Sequence, residues 1–463
     1  MLREPQSAML REPHPVLGLI LVCAGAMLGP LDSAVNVAFP AITVAFGLAL
    51  PDIQWIVIAF VLAQSSLTIV FGRVGDLYGH KRVFAVGMAA CAATHLMAGF
   101  APDYASLVVL RIAQGIAVGL AISCGPALAT LPFPAPDKRR ILGVYVTAIS
   151  LGIALGPAVG GVLVAHFGWP GVFWFRAPLA LLVLLLLPLL ADARALPGAS
   201  APVQAASRVG FDWPGAAYLA ALLACLVLFA AAITRQGAGV LIPGGLLAGG
   251  LASTWLFVRH ESRTHSPILP IGTLRARGFL GIQLASILVN LACFSIMLLV
   301  PYLLAASRSR SIAQAGALLA LFPAGSVLGG LAAARLARGV SSVALIGAGQ
   351  LAAALGLLAI ASAVPTPAPA TLGAALVLTG FGLGAFQVGY MDATTSMLPP
   401  EERGVAGSLV SVTRLLGIVL GASGISWLHQ ATGEYATTFR VLGAGLLLYA
   451  GAFLAARRRR AGR

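Results

Sequence analysis

Long apolar runs recur along the whole 463-residue chain and constrain its fold more than any other feature. A run of about 18 or more apolar residues is long enough, as a helix, to cross a hydrocarbon core of roughly 30 Å. Only 9% of the residues are charged, whereas a soluble domain carries roughly 25%. The sequence therefore predicts an all-α membrane protein with fourteen transmembrane helices. The predicted spans cover residues 15–39, 53–71, 83–101, 105–131, 141–166, 172–191, 213–233, 239–258, 279–304, 311–334, 342–363, 371–391, 405–428 and 437–456.

The basic residues lie in short clusters between the apolar runs. The formal charge is +15, and a nucleic-acid-binding protein would carry such an excess on one face or patch. Clusters such as Lys138–Arg140 and Arg457–Arg460 instead follow the pattern of membrane topology, in which cytoplasmic loops are rich in Lys and Arg. With the N-terminus inside, most of the 29 basic residues fall on the cytoplasmic side. We therefore predict a bacterial inner-membrane protein with both termini in the cytoplasm and no nucleic-acid partner.

The span count divides into six, two and six. A weak repeat relates the segment Gly72–Lys81 to Gly330–Gly339, and repeated halves around a site at the membrane midplane are common in secondary transporters. The predicted parts are a cytoplasmic N-terminal segment (1–14), an N-terminal six-helix bundle (15–191), a cytoplasmic linker (192–212), two additional transmembrane helices (213–258), a cytoplasmic loop (259–278), a C-terminal six-helix bundle (279–456) and a basic cytoplasmic tail (457–463).

A charged segment with several glycines connects the second and third predicted spans. Its glycines allow a tight turn, and its one carboxylate lies among cations close to a helix end. Such a cluster can hold a transporter in one conformation and release it in another. The alternative is a solvated cytoplasmic turn whose charges only set the topology. The candidate residues of this conformational latch are Gly72, Arg73, Asp76, Gly79, Lys81 and Arg82.

The fifth predicted span is rich in small residues and contains a proline. Small residues three to four apart let two helices approach closely, and a proline loosens the helix backbone. Ordinary packing of small residues is the alternative interpretation. The residues of this motif are Gly152, Gly156, Pro157, Gly160 and Gly161.

Six segments resemble motifs of the major facilitator superfamily. Three are similar to its motifs A, B and C, of which C is the antiporter motif, and three to its fourteen-helix drug:proton antiporter branch. The segments are, in that order, Gly72–Arg82, Arg111–Gly115, Gly152–Gly161, Leu31–Pro40, Phe211–Gly215 and Thr413–Gly417. The resemblance implies a major facilitator fold of two six-helix bundles plus two extra central helices. It also implies a monomeric, proton-coupled exporter of drugs or other amphipathic small molecules, with the proton gradient as its energy source and no cofactor.

A proton-coupled carrier needs an ionisable group that water can reach from each side in turn. Asp32 is the one carboxylate that the sequence places well inside a span. At 1.5 Å per residue, Arg111 of the fourth span lies at a similar depth, and an ion pair makes both charges tolerable there. We predict that protonation of Asp32 and its pairing with Arg111 couple the proton gradient to export. The alternative is a static structural pair.

Four other polar side chains are candidates for the central cavity. Arg414 contacts substrate or counters a carboxylate there, or else its side chain extends to the cytoplasmic edge. Arg176 stands where the family more often has Asn, and we interpret it as an interfacial anchor or, alternatively, as lining the outer mouth. His95 is interpreted as a packed histidine rather than a proton relay. The four candidates are Asn36, Gln114, Arg176 and Arg414.

The charges embedded in the spans favour neutral or weakly anionic amphiphiles over organic dications, because Arg111 and Arg414 outnumber Asp32. One alternative function is a proton- or sugar-coupled importer, or a carrier of one specific metabolite; the antiporter motif and the span count favour export. Another is a membrane-embedded enzyme such as a lipid transferase. An enzyme of that kind needs clustered carboxylates or metal ligands, and the five cysteines lie in apolar runs without metal-ligand spacing. We therefore predict no catalytic residues and no metal.

Overall fold

The computed structural model describes residues 15–134, 137–189, 212–234, 241–264, 278–306, 311–337, 339–364, 368–397 and 404–461. In these ranges the regular structure is helical throughout, without strands. The helices are α1 (Pro15–Met27), α2 (Ala34–Phe46), α3 (Leu50–Tyr78), α4 (His80–Ala98), α5 (Tyr104–Thr130), α6 (Lys138–Phe167), α7 (Gly171–Trp174), α8 (Arg176–Leu186), α9 (Trp213–Thr234), α10 (Leu241–Glu261), α11 (Phe279–Ala306), α12 (Ile312–Leu336), α13 (Ser342–Ala363), α14 (Pro369–Met397), α15 (Gly404–Thr432) and α16 (Tyr435–Ala461).

These helices form the fourteen predicted spans, because α1 with α2 makes the first span and α7 with α8 makes the sixth. Within the described residues, ten spans are long and apolar enough to cross a membrane, and two shorter apolar helices, Leu50–Ser65 and Gly171–Leu186, lie in two others. Most helices extend past the predicted spans, since a helix satisfies its own backbone after the chain leaves the apolar layer. The predicted N-terminal segment 1–14 and nearly all of the linker 192–212 lie outside the described residues.

The first span is interrupted near its middle. α1 ends at Met27, and a 3-10 turn over Pro30–Ser33 precedes α2. Proline lacks a backbone N–H and fixes φ, so it suits the first position of a helical turn but cannot continue the preceding helix. The N–H of Asp32 donates to the Gly29 carbonyl at 2.9 Å. Asp32 therefore lies at a break between two helical segments.

The helices pack into two halves with an extra pair beside them. In the first half α5 packs on α3 and α4, and in the second α14 packs on α12 and α13. The halves meet where α6 packs on α12, α15 on α3 and α11 on α2. The extra helices α9 and α10 pack on each other, and α9 also contacts α3 and α15. The extra pair thus lies against the α3–α15 seam.

Glycines in α6 allow the predicted close approach. A Cβ atom on Gly160 would lie 2.7 Å from the carbonyl oxygen of Ala34, and one on Gly161 would lie 2.9 Å from the Cα atom of Gly316. These distances are too short for a larger side chain. The small residues of the fifth span therefore pack α6 both against α2 of its own half and against α12 of the other half.

The two halves are in contact in the part of the bundle farthest from the chain ends. We call the face where α1 begins and α16 ends the terminal face, and the opposite one the far face. Towards the far face, the hydroxyls of Thr43 and Tyr302 lie 2.6 Å apart, and Asn36 Nδ2 donates to Met297 Sδ at 3.4 Å. The largest core cluster joins both halves, whereas the cluster nearer the terminal face contains first-half residues alone. These contacts between the halves therefore lie towards the far face.

The charged segment Gly72–Arg82 is helical over most of its length. α3 continues to Tyr78, and only Gly79, with φ +93°, makes the turn into α4. The predicted span 53–71 therefore ends too early, because the helix continues through Gly72 to Tyr78. The charges after residue 71 lower the local hydropathy, although the backbone stays helical. Lys81 is half-buried and Arg82 is exposed, while the side chains of Arg73 and Asp76 lie outside those described, so the latch stays a prediction.

Candidate functional site

The carboxylate of Asp32 is held between two arginines inside the first half. Arg111 contacts both carboxylate oxygens, Nη1 to Oδ1 at 2.7 Å and Nη2 to Oδ2 at 2.5 Å. Arg176 Nη1 donates to Oδ1 at 2.6 Å. Both arginines are fully buried, and the Asp32 side chain is 15% exposed. The predicted contact between Asp32 and Arg111 is present, and a second arginine joins it.

Arg111 is positioned by the start of α5 and by a lining of polar and aromatic groups. Its Nε donates to the Ile56 carbonyl at 2.9 Å, Nη1 also donates to Gln114 Oε1 at 2.8 Å, and the guanidinium lies 4.2 Å from the Phe60 ring centroid. α5 begins where the Asp103 carboxylate accepts a hydrogen bond from the backbone N–H of Ser106 at 2.7 Å. That hydrogen bond holds the pKa of Asp103 below its usual value.

Arg176 is a buried member of the site, so its interpretation as an interfacial anchor is wrong. It is the first residue of α8, immediately after the short helix α7. Its Nε donates to the Val172 carbonyl at 3.2 Å, and the guanidinium lies 5.7 Å from the Phe173 ring centroid. The change of helix between α7 and α8 directs the side chain inward, which hydropathy alone does not reveal. Among the described residues, Arg176 Nη2 has no hydrogen-bond partner.

The three charges form a buried cluster with one anion and two cations, which we call the charge cluster: Asp32, Arg111 and Arg176. Burial of charge is costly unless each group is paired, so the anion stabilises both arginines. Protonation of Asp32 removes that anion and weakens both contacts at once. Because Asn36 lies one helical turn beyond Asp32 and contacts Met297 of the second half, a change at Asp32 acts on a helix that joins the two halves.

Gln114 and His95 lie around the charge cluster. Gln114 accepts from Arg111 and donates to the Thr94 carbonyl at 3.3 Å. His95 Nδ1 lies 2.6 Å from the Cys91 carbonyl oxygen, which can only accept, so Nδ1 carries the proton. Nε2 is buried and has no partner among the described residues. His95 is thus packed as expected, with one free acceptor.

A second polar group lies between the helices of the other half. The Tyr390 hydroxyl donates to Gln283 Oε1 at 2.6 Å and lies 2.9 Å from the Thr413 hydroxyl, which in turn lies 3.0 Å from that of Ser286. These side chains come from α14, α11 and α15, and each is buried. Within the described part of the chain, Gln283 Nε2 has no acceptor. Sequence reasoning identified Thr413 only as part of a motif and missed the network.

Arg414 is the remaining predicted cavity residue. It lies in α15 directly after Thr413, with an exposed side chain. Among the described residues, no carboxylate lies within ion-pair distance of it and no hydrogen bond holds it. No carboxylate of the described residues is therefore countered by Arg414, and its contact with substrate stays a prediction. A cavity of about 520 Å³ on the same part of α15 is lined by Gln387, Val388, Met391, Asp392, Thr395 and Val410.

The segment before α9 contains an interaction that the sequence did not predict. Asp212 is buried, and its Oδ1 accepts from the Gly215 N–H at 2.9 Å and lies 2.5 Å from His260 Nε2 at the end of α10. This contact closes the terminal-face end of the extra helix pair. The two residues are 48 positions apart, and no spacing rule joins them. Elsewhere in the described ranges, no three His, Cys, Asp or Glu residues are grouped as metal ligands.

Comparison with known proteins identifies related sequences over nearly the whole chain. A family model described as the Major Facilitator Superfamily matches residues 21–243 and 282–463. The tetracenomycin C resistance and export protein of Streptomyces glaucescens is 30% identical over 428 residues, which are 90% of this chain and 76% of that protein. The puromycin resistance protein pur8 of Streptomyces alboniger is 30% identical over 420 residues, covering 89% of this chain and 81% of that protein.

A solved structure shares the fold at low sequence identity. The inward-open conformation of the xylose transporter XylE from E. coli aligns with a TM-score of 0.63 and 14% identity, covering 95% of this chain and 96% of that one. At this identity the match bears on the fold alone. It agrees with the packing of the helices in two halves.

Proposed function

The chain belongs to the Major Facilitator Superfamily, and we propose that it is a proton-coupled antiporter that exports amphipathic small molecules or drugs. The proton gradient supplies the energy, and no cofactor takes part. The protein lies in the bacterial inner membrane as a monomer, with its terminal face in the cytoplasm. The excess of basic residues in the loops of that face supports this orientation.

The observation that carries the proposal is the buried charge cluster at the break in the first span. Asp32 is the anion of the cluster, and its side chain is 15% exposed, so water reaches it. Both of its oxygens are engaged by arginines. An ionised carboxylate thus fixes α2 to α5 and α8, and a protonated one releases it. The proton binding that a carrier requires and a movement of α2 are then the same event.

Movement of α2 is linked to opening at the far face. Asn36 and Thr43 of α2 contact Met297 and Tyr302 of α11, which belongs to the other half. Protonation of Asp32 releases α2. This release weakens the contacts between the halves only if the proton-loaded protein prefers a different conformation from the substrate-loaded protein. In the proposed cycle, substrate enters from the terminal face, leaves at the far face, and is exchanged for a proton that is released on the terminal side.

The proposed direction is outward. The halves touch at the far face, which supports a conformation that takes up substrate from the side that we assign to the cytoplasm. The two relatives described above are named for resistance or export. An importer of the same superfamily would work in the opposite direction with the same fold. Direction is therefore the property that an experiment has to establish.

Transport into everted membrane vesicles tests the proposal. Vesicles from an efflux-deficient host that expresses the chain are acidified inside, and uptake of fluorescent cationic, neutral and anionic amphiphiles is followed. We expect uptake of at least one class, collapse of that uptake by a protonophore, and proton release from the vesicles when substrate is added. Absence of gradient-driven uptake in all three classes contradicts export, and uptake only in right-side-out vesicles identifies an importer.

A further inference from the structure

The open side of α15 presents a cation that nothing in the described structure neutralises. Arg414 is exposed, about ten residues into α15, near the middle of the span. A guanidinium at that depth is costly against lipid and is found facing the protein interior or a water-filled cavity. Val410 lies one helical turn towards the terminal face and lines the 520 Å³ cavity between α14 and α15. Residues four apart share a helix face, so Arg414 lies one turn deeper than Val410 on the face of α15 that borders that cavity.

Hydrogen-bond donors predominate beside this position. Gln283 uses its oxygen to accept from Tyr390, which leaves Nε2 buried and without an acceptor among the described residues. Thr413, the neighbour of Arg414, is held by Tyr390 and by the Leu409 carbonyl at 2.9 Å. A buried donor left unsatisfied is destabilising unless a ligand or water completes it. Gln283 Nε2 is enclosed by the protein, whereas the exposed Arg414 is open to a ligand oxygen.

The carboxylates of the described transmembrane helices do not neutralise the positive charge of Arg414. Both oxygens of Asp32 are occupied by Arg111 and Arg176, so the charge cluster carries a surplus positive charge. Asp392 also lines the cavity, but near the terminal end of α14, where its Oδ2 accepts a hydrogen bond from Ser342. Asp392 therefore lies nearer the terminal face than Arg414 does.

We infer that Arg414 forms a subsite for the anionic or oxygen-rich head group of an aromatic organic acid, a carboxylate or phenolate. The inference rests on the proposed export function and names its substrate class. The apolar body of the ligand lies against Met391 and Val410, and its charged oxygen points towards Arg414. Organic cations find no free carboxylate at this depth among the described residues, and their positive charge is repelled by Arg414 and by the charge cluster.

Equilibrium binding to the full-length protein in lipid nanodiscs tests the subsite without any proton gradient. The probes are anthracene-9-carboxylate, its methyl ester and anthracen-9-ylmethylamine, which share one ring system and differ in charge. Isothermal titration calorimetry is run on the wild type, on Arg414→Gln and Arg414→Lys, and on Arg440→Gln, which removes an exposed arginine of α16. We expect the wild type to bind the carboxylate about tenfold or more tightly than the amine.

Arg414→Gln is expected to lose about tenfold or more in affinity for the carboxylate and little for the ester, because hydrogen bonds to charged groups are the strong ones. Arg414→Lys keeps the charge and most of the affinity, and Arg440→Gln behaves as the wild type. Equal affinity of Arg414→Gln and wild type for the carboxylate overturns the subsite, and so does tighter binding of the amine by the wild type. If Arg414→Gln does not fold, the relative affinities of the wild type for the three probes test the subsite.

Measurements of binding and of transport together distinguish a failure of the subsite from a failure of the export function. Charge-selective binding without gradient-driven uptake into everted vesicles refutes the export function and leaves the subsite. Gradient-driven uptake of the amine in preference to the carboxylate supports export and refutes the subsite.

Discussion

Arg176 and Asp32 lie 144 residues apart in the chain and are joined by a contact of 2.6 Å between Nη1 and Oδ1 inside the first half. The same oxygen accepts from Arg111. One carboxylate therefore fixes the discontinuous first span to both α5 and α8. The protonation state of this single residue therefore affects how the helices of the whole first half are held together.

Removal of the anion is expected to destabilise the fold more than removal of one cation. Asp32→Asn leaves two buried arginines unpaired and should cost roughly 3–5 kcal/mol, whereas Arg176→Gln leaves one matched pair and should cost less. Adding Arg176→Gln to Asp32→Asn should recover part of the loss. The free energy of unfolding of each variant in mixed detergent micelles measures this, and strictly additive effects of the two substitutions would show that the residues do not interact.

Bulk at the glycine contact between the halves is expected to stop transport without unfolding the protein. Gly161→Val and Gly316→Val each insert a side chain where a Cβ atom already meets the opposite backbone within 3 Å. Gly143→Val on the same helix α6 has open space around it and serves as the control. For each variant, gradient-driven uptake into vesicles measures transport, and elution of the purified protein from a size-exclusion column shows whether it is folded. Full transport by Gly161→Val would mean that α6 and α12 do not need their close contact.

A cross-link at the far face is expected to trap the described conformation. With Thr43→Cys and Tyr302→Cys in one chain, a short bifunctional thiol reagent should join α2 to α11 and abolish transport, because the halves can no longer separate there. A reducing agent that cleaves the linker should restore transport. Each single cysteine variant, treated in the same way, should keep its activity. Unchanged transport after complete cross-linking would exclude movement at this contact.

The extra helix pair is expected to depend on Asp212 and His260. His260→Ala leaves a buried carboxylate with its hydrogen bond to Gly215 alone, and should lower stability by about 1–3 kcal/mol. Asp212→Asn/His260→Ala removes both the charge and its partner and should lose less than the sum of the single changes. Thr254→Val is the control, because Thr254 is exposed on the same helix α10 and its hydroxyl donates to the Gly250 carbonyl. Equal free energies of unfolding for His260→Ala and the wild type would show that the contact between Asp212 and His260 does not stabilise the fold.

The apolar runs predicted the helices well, because crossing a bilayer dictates both length and composition. Counting residues into each span also brought Asp32 and Arg111 to one depth. Arg176 was misplaced because its direction depends on the change of helix between α7 and α8, which leaves no signature in hydropathy. The break at Pro30 had a local signal, the Gly29-Pro30 pair, that a search for long apolar runs passes over. The contacts of Asp212 and of Gln283 depend on helix packing and have no such signal.

Gradient-driven uptake by Asp32→Asn in everted vesicles, with a substrate that the wild type transports, tests the coupling role of Asp32 most directly. Asp103→Asn, which changes an exposed carboxylate to an equally good helix cap, is the control. Retained binding of the same substrate establishes that the variant is folded. We predict that Asp32→Asn binds substrate but shows no dependence of uptake on the pH gradient, while Asp103→Asn behaves as the wild type. Full pH-gradient dependence in Asp32→Asn would contradict the central role of this carboxylate.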